Sequence, residues 1–290
     1  MNDFEYVDCH IHFHDPLKTD EQIKLIMLNE FPMLKSFLDN PNDNTKLLEM
    51  MDQVNCKRSW IINYESPRVM GYDLSTLDWV SNFCEDSDKR LIPVGGIHPG
   101  LHEDAHQIMR NYFESGLLMG LKVHGPHQLI YPNAYTGGLI AQEKLYQTME
   151  ELKIPVIFHT GTSIFPKARS KFGNPLVLED ILIDFPEMTV IMAHGGRPIW
   201  MREAEFLMSK FKNLYMDLAG IPPKLIQEYF PRFNRYADRC IFGSDFPSPG
   251  VPSSRENVDN VAKFPLPPNI IKKIVLENAE TIIKSSGLYL

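Results

Sequence analysis

Near its start the chain runs Tyr6-Val7-Asp8-Cys9-His10-Ile11-His12, a short apolar stretch ending in two histidines two positions apart. Side chains alternate faces along a β-strand, so in regular extended backbone His10 and His12 point the same way. Two imidazoles on one face, reached directly from a buried strand, are half of a metal site, and histidine is the commonest metal-ligating side chain.

The rest of the chain repeats one pattern. Apolar, β-rich runs fall at residues 6–9, 59–63, 91–95, 118–123, 155–158, 189–193, 214–217 and 240–242. Amphipathic stretches with helical periodicity fall between and after them, at 45–54, 74–84, 103–113, 139–152, 176–183, 199–211, 224–236 and 255–263. Eight strands alternating with eight helices over 290 residues is what a (β/α)8 TIM barrel requires. The alternative is a doubly wound open sheet, which usually carries a glycine-rich fingerprint after its first strand. Here His-Ile-His-Phe-His stands in that place. Asn44 or Thr45 can cap the first helix, and Asn174-Pro175 can open the one after the fifth strand. No Gly/Ser- or Pro-rich linker cuts the chain, so residues 1–290 read as a single domain. Long connections follow strand 1 (14–44, with an extra helical segment at 21–28), strand 4 (125–138) and strand 5. In a barrel such loops build the active-site face, so they are candidate lids or pocket walls, with plain surface excursions as the alternative.

Composition narrows the function classes. The 43% hydrophobic content contains no apolar run near the roughly 18 residues that span a bilayer, so no membrane anchor is expected. The acidic opening segment lacks a secretory pattern, and a cytoplasmic location is expected. A net charge of −8 without a lysine and arginine run disfavours nucleic acid as partner. Cys9, Cys56, Cys84 and Cys240 show no Cys-x-x-Cys spacing and read as reduced, buried thiols.

Catalytic residues of such barrels cluster at the C-terminal ends of the strands. After the first strand come His10 and His12, after the third His98, in or after the fourth Lys122 and His124. The fifth ends in His159, the sixth in His194, the seventh in Asp217, and the eighth leads to Asp245. Any one of these would more often be a satisfied polar residue than a ligand; the regularity of the set is what points to a site.

The motifs Asp8-Cys9-His10-Ile11-His12, Gly120-Leu121-Lys122-Val123-His124, Ile157-Phe158-His159-Thr160-Gly161-Thr162, Ala193-His194-Gly195-Gly196 and Phe242-Gly243-Ser244-Asp245-Phe246-Pro247 together resemble the amidohydrolase superfamily. The likeness is to its amidohydrolase-related branch, which includes aminocarboxymuconate semialdehyde decarboxylase. That resemblance implies one divalent ion, Zn2+ with Mn2+ as the alternative, held by His10, His12, His159 and Asp245. It also implies that His194 is catalytic rather than a primary ligand. Three imidazoles and a carboxylate suit a borderline metal with one position left open. In dinuclear members of the superfamily a lysine at the fourth strand is carbamylated, whereas this branch generally uses one metal. Lys122 is therefore expected to contact substrate or orient a ligand. Asp8, taken to share a face with His10 and His12, reads either as orienting a ligand or as a hydrogen-bonded core carboxylate.

Hydrolysis is the first reading of function. Asp245 and His194 manage the proton of a metal-activated water acting on a small, carboxylate-bearing substrate. The alternative is a metal-dependent non-oxidative decarboxylase of a small organic acid, and a third is a non-catalytic metal-binding barrel. Arg197, next to His194-Gly195-Gly196, is a candidate carboxylate binder, joined by Lys122, His98 and His124 as substrate contacts. Lys167, Arg169 and Lys171 supply further positive charge, with surface salt bridges as the alternative. Tyr131, Phe165 and Trp200 are candidate pocket walls or core residues. The expected partner is a small molecule, and homodimers are common in the branch resembled.

Protein purified without added metal is expected to carry one divalent ion per chain by elemental analysis and to lose activity to a chelator. No bound ion together with no response to chelator would remove both metalloenzyme readings.

Overall fold

Eight parallel strands pair in sequence order in the computed structural model, which describes residues 4–248, 251 and 253–286. They are β1 (Tyr6–Ile11), β2 (Cys56–Ile62), β3 (Leu91–Gly95), β4 (Gly120–Val123), β5 (Val156–His159), β6 (Val190–Ala193), β7 (Leu214–Asp217) and β8 (Cys240–Ile241). All eight lie on the apolar runs of the sequence, because a parallel strand covered on both faces needs continuous apolar character. The sheet curls until β8 meets β1. Cys9 N donates to Phe242 O at 2.9 Å, Asp245 N to His10 O at 2.8 Å, and His12 N to Phe246 O at 2.7 Å. The result is a (β/α)8 barrel whose seam joins β1 to the segment after β8, and that seam brings Asp245 beside His10.

Alternation within each strand sorts two layers of core. Trp60, Ile62, Ile92, Val94, Ile157, Ile191 and Ile241 fill the barrel axis. Leu121, Phe158, Met192, Met216 and Phe242 pack in the layer under the helices. By the same phase, the inward positions at the C-terminal ends of β4, β5 and β7 are Lys122, His159 and Asp217.

β1 departs from this regularity. Asp8 pairs with Ser59 but Ile11 pairs with Ile61, so β1 advances three residues while β2 advances two. The extra residue is a bulge, a device that re-aims side chains and recurs beside active sites. Before it, Val7 and Cys9 pack in the axial core while Tyr6 belongs to the outer layer. After it, Ile11 and Phe13 are in the outer layer, and His10 and His12 face inward. The bulge therefore corrects the expectation that Asp8 shares a face with the two histidines. Asp8 lies outside the axis, where its carboxylate accepts from Ser244 N at 2.8 Å, Ser254 Oγ at 2.5 Å and His10 N at 3.3 Å. Burial pushes its pKa up to about 6 against the pull of these hydrogen bonds. It is the core carboxylate of the two readings, and it clamps β1 to the end of β8.

The helices follow the amphipathic stretches with one break. Helices at Thr45–Gln53, Thr76–Cys84, Ala105–Glu114, Ile140–Glu151, Leu178–Asp184, Met201–Lys210 and Ser254–Val261 match expectation. Residues 224–236 form short separate turns instead, Pro223–Leu225, Ile226–Tyr229 and Phe233–Arg235. Pro231 cannot donate to a helical ladder, and its ring disfavours helical backbone at the preceding residue. Asn174 caps as expected, accepting from Leu176 N at 3.0 Å. Asn44 occupies an N-cap position but turns its amide back to Phe83 O and Glu85 O, at 2.8 and 2.9 Å. A C-terminal helix, Asn278–Ser285, was not anticipated; its Ala279, Ile282 and Ile283 join Val7 and Trp60 in the axial core. In the long connection after β1, helix Glu21–Glu30 is capped by Asp20, which also takes Lys167 Nζ from the loop after β5 at 2.7 Å. All four cysteines are buried and free. Among the described residues no helix is long and apolar enough to cross a membrane.

Asp8→Ala leaves the Ser244 amide without its acceptor in a buried seam and strips the Ser254 hydroxyl of its carboxylate partner, leaving it only Tyr6 Oη. The expected loss in unfolding free energy is about 2–3 kcal/mol, read from urea denaturation. An unchanged midpoint would contradict the clamping role.

Candidate metal centre

Three histidines at the barrel mouth are held by their Nδ1 atoms, which leaves Nε2 of each as the atom able to ligate. His10, fully buried, gives Nδ1–H to the Asp217 carboxylate. His12 Nδ1 meets Ile62 O at 3.1 Å, and His194 Nδ1 meets Ala219 O at 2.8 Å. A histidine whose far nitrogen donates to a carboxylate or carbonyl has its tautomer and ring orientation fixed, which is the usual support of a metal ligand. The Nε2 atoms converge: His10 to His12 is 3.2 Å, and Asp245 Oδ1 lies 3.8 Å from His10 Nε2 and 3.4 Å from His12 Nε2. Ligand atoms of His10, His194 and Asp245 all fall within 4.8 Å of one another.

The fourth imidazole carries the clearest sign of what this cluster is built for. His159 Nε2 is buried with no hydrogen-bond partner, while its ring lies 4.6 Å from that of His194. A buried polar atom left unpaired is uncommon and needs a reason. A divalent cation satisfies it, since neutral imidazoles and one carboxylate form its preferred donor set. The donor atoms that converge are those of His10, His194 and Asp245, with His12 Nε2 beside His10 and Asp245, and such a set suits a divalent ion. It takes in His194, which the resemblance implied to be catalytic rather than a primary ligand, while His159 adds an orphaned Nε2 from the ring next to His194. His194 stands close enough to serve either as a further donor or as a proton carrier.

Electrostatics keep the donors in the right form. Burial holds the imidazoles of His10 and His159 well below the usual histidine range and that of His194 down to about 3, so all three are neutral. Burial alone would push the Asp245 carboxyl up, yet it lies well below its usual range, because at the acid pH where it would take a proton the imidazoles around it, His194 first, become charged. Asp217, pushed up to about 6 by burial, sits against His10. Lys122 is fully buried with Nζ 3.3 Å from His10 Nε2. Burial brings its ammonium down to about 8 against the pull of Asp217 and Asp245.

Backbone strain marks the same place. His194 and Asp245 both have φ of 68°, a left-handed conformation that side chains bearing a Cβ rarely adopt. Glycine does comparable work opposite them. A Cβ on Gly243 would come within 2.6 Å of Asp217 Oδ1 and 2.7 Å of His10 Cβ, so only glycine lets the carboxylate reach the imidazole. At Gly220 a Cβ would come within 2.2 Å of Arg197 Nη2.

The cluster opens into a cavity at the mouth of the barrel. Of the residues singled out in the sequence, His12, His124, His159, His194, Arg197, Asp245 and Phe165 line it. Arg197 sets Nη2 3.7 Å from Asp245 Oδ2, and its buried Nε has no partner. His124 stacks between His159 at 3.8 Å and His127 at 3.6 Å, and its Nδ1 accepts from His127 N at 3.3 Å. His98 is elsewhere. Its ring is engaged with Gln128 O at 2.7 Å and Gly100 N at 3.1 Å, and it lines a separate cavity beyond Gln128. Tyr131 packs edge-on against Phe172, and Trp200 is absent from the residues lining the cavity. Lys167 is paired with Asp20, and Lys171 lies over the Phe172 ring at 4.9 Å.

Several cavity residues carried no assignment from sequence. Tyr64 lies just past β2, the one strand to which the strand-end pattern gave no polar group. Its Oη is 2.7 Å from His127 Nδ1, and His127 Nε2 is 2.7 Å from Ser163 Oγ. His14 continues the alternation of His10 and His12 and stacks on Tyr72 at 4.6 Å. The signal for both was position: one at a strand end, the other in phase with two candidate ligands.

An amidohydrolase family model matches residues 7–284. None of the curated proteins matches the chain. Among solved structures, an uncharacterized TIM-barrel protein from Bordetella bronchiseptica superposes with a TM-score of 0.74 at 20% identity, covering 98% of this chain and 100% of its own. A dihydroxybenzoic acid decarboxylase from a Polaromonas species, solved with bound manganese and the inhibitor 2-nitroresorcinol, gives 0.71 at 16% identity over 99% of each chain. A 5-carboxyvanillate decarboxylase from Sphingomonas paucimobilis gives 0.64 at 12% identity, over 97% of this chain and 99% of that one. At these identities the shared property is the fold.

Asp217→Asn keeps the shape beside His10 but replaces the carboxylate that makes the imidazole a better donor. Metal affinity is expected to fall about 10- to 100-fold in competition with a chelating dye, with the fold intact by circular dichroism. Wild-type affinity in this variant would exclude a supporting role for Asp217.

Proposed function

The chain belongs to the amidohydrolase family, and from that premise we propose that it is a metal-dependent non-oxidative decarboxylase of a small aromatic or conjugated acid. This reverses the order of the two readings drawn from sequence, where hydrolysis came first. The observation that carries it is the pairing, in one cavity, of a guanidinium whose Nε has no partner with the imidazole of His194. Arg197 Nε is buried without a partner, while His194 presents a free Nε2 a short distance away across Asp245. A carboxylate is the group a guanidinium binds best, through two parallel hydrogen bonds. Tyr64, Tyr72 and Phe165 give the cavity flat, apolar walls suited to a planar acid. The reactions named for the Polaromonas and Sphingomonas structures support the same choice.

A divalent ion, zinc or manganese, held by His10, His12, His159 and Asp245 would supply Lewis-acid polarisation of a substrate oxygen. The chain's own residues do the rest. Arg197 binds and orients the acid. Loss of carbon dioxide leaves an electron pair on carbon that must take up one proton. His194 Nε2, protonated from water as the substrate anion enters, is the atom that holds this proton and gives it to carbon, because Nδ1–H is committed to Ala219 O. A bound anion and Asp245 beside the ring favour that protonation, which burial otherwise opposes. Asp245, ionised before substrate enters, can instead take a proton from water, and this observation is what favours hydrolysis as the second reading.

A panel of hydroxybenzoates and carboxylated lactones, scored for carbon dioxide against acid release, separates the two. Carbon dioxide from the aromatic acids is expected, and acid release from lactones alone would establish hydrolysis. Arg197→Met is expected to raise KM for the acid about tenfold or more while changing kcat less. An unchanged KM removes Arg197 as the carboxylate binder.

A further inference from the structure

A second chamber adjoins the catalytic cavity, and the two share His12, His14, Met27 and Tyr72 as walls. It lies under the long connection after β1, with Phe13, Leu28, Phe37, Leu38, Trp79 and Phe83 around it. Its aromatic lining is interlocked: Phe13 meets Phe37 at 5.0 Å and Phe83 at 6.0 Å, and Trp79 stacks on Phe83 at 4.9 Å. The partition toward the metal centre is equally fixed. His14 hydrogen-bonds Asn63 and stacks on Tyr72, and Asn63 Nδ2 donates to Phe13 O at 2.6 Å. One polar group in this wall is unsatisfied, since Trp79 Nε1 is buried with no partner. An apolar chamber that shares four wall residues with the catalytic cavity and is lined by a tryptophan whose buried N–H has no partner has the chemistry of a subsite for an apolar group bearing a hydrogen-bond acceptor.

We propose that this chamber binds an apolar arm of the substrate, so that the enzyme acts on an acid carrying an alkyl or aryl extension with an acceptor atom toward its far end, which Trp79 Nε1–H recognises. The inference rests on the acid-binding reading only for the identity of the reacting group; the chamber itself can be probed with neutral ligands.

Two ligand series test it on the metal-loaded full chain: 4-n-alkylbenzoates from benzoate to 4-pentylbenzoate, and neutral n-alkyl alcohols from butanol to octanol. Binding is followed by NMR titration, with Trp79 among the three indole N–H signals identified through Trp79→Phe. Affinity is expected to rise about fourfold per methylene in both series until the chamber is full. Leu28→Trp and Leu38→Trp, at partly exposed positions where a larger side chain fills the chamber without disturbing the core, should each flatten that rise. Trp79→Phe should keep the rise but abolish a preference of about tenfold for 4-(3-oxobutyl)benzoate over 4-butylbenzoate. A rise below about twofold per methylene in both wild-type series, or one that survives both filling variants, overturns the proposal. A rise with the alcohols but no binding of any benzoate supports the chamber and overturns the acid-binding reading instead.

Discussion

The hydrogen bonds that close the barrel between β1 and the segment after β8 are the constraint on which the rest depends. Without the bonds from Asp245 N to His10 O and from Cys9 N to Phe242 O, the first and last motifs of the chain, more than 230 residues apart, would have no reason to meet. Asp8 reinforces the same seam from outside the axis, and the β1 bulge turns His10 inward at the point where the seam forms. Closing a barrel also removes the exposed edges of an open sheet. One set of backbone interactions thus serves both the fold and the assembly of the metal ligands.

Concentrating imidazoles, a carboxylate and a lysine in one buried cluster works against stability, and the structure offsets this by controlling charge. Burial holds His10 and His194 well below the usual histidine range, the Asp245 carboxyl lies well below its own, and burial draws Lys122 toward neutrality beside His10. The left-handed backbone at His194 and Asp245 adds a local cost of roughly 1–3 kcal/mol each. Such strain persists where surrounding structure over-determines it, and here a hydrogen-bonded seam and close-packed glycines do so. The pairing of strain, neutral donors and an orphaned His159 Nε2 describes a site organised around a cation rather than a core that happens to contain histidines.

The site divides by function along its walls. The side nearest Arg197 and His194 is polar and carries the groups that can bind an acid and hold a proton. The side beneath the connection after β1 is aromatic and apolar. His12 and His14 stand between them, one a candidate metal donor and the other a spacer bonded to Asn63. Specificity therefore belongs to the loops, while the chemistry belongs to strand ends anchored in the barrel.

Much of this was legible in the sequence. The apolar runs located all eight strands because buried parallel strands leave no polar alternative, and the histidines and aspartates at their ends located the mouth. The helix expected at 224–236 failed because its amphipathic pattern outweighed Pro231 in the reading but not in the backbone. The partner of His10 is Asp217 and not Asp8, because a bulge changed the phase of β1, and no local pattern announces an extra residue in a strand. Tyr64, His127 and Ser163 form one hydrogen-bonded chain though they come from three different loops. The sequence by itself determined the barrel and the identity of the candidate ligands, since periodicity and residue type are local properties. Which carboxylate supports which imidazole, and where an apolar chamber opens beside them, was decided only by tertiary structure, because both depend on distances between segments that the chain brings together when the barrel closes.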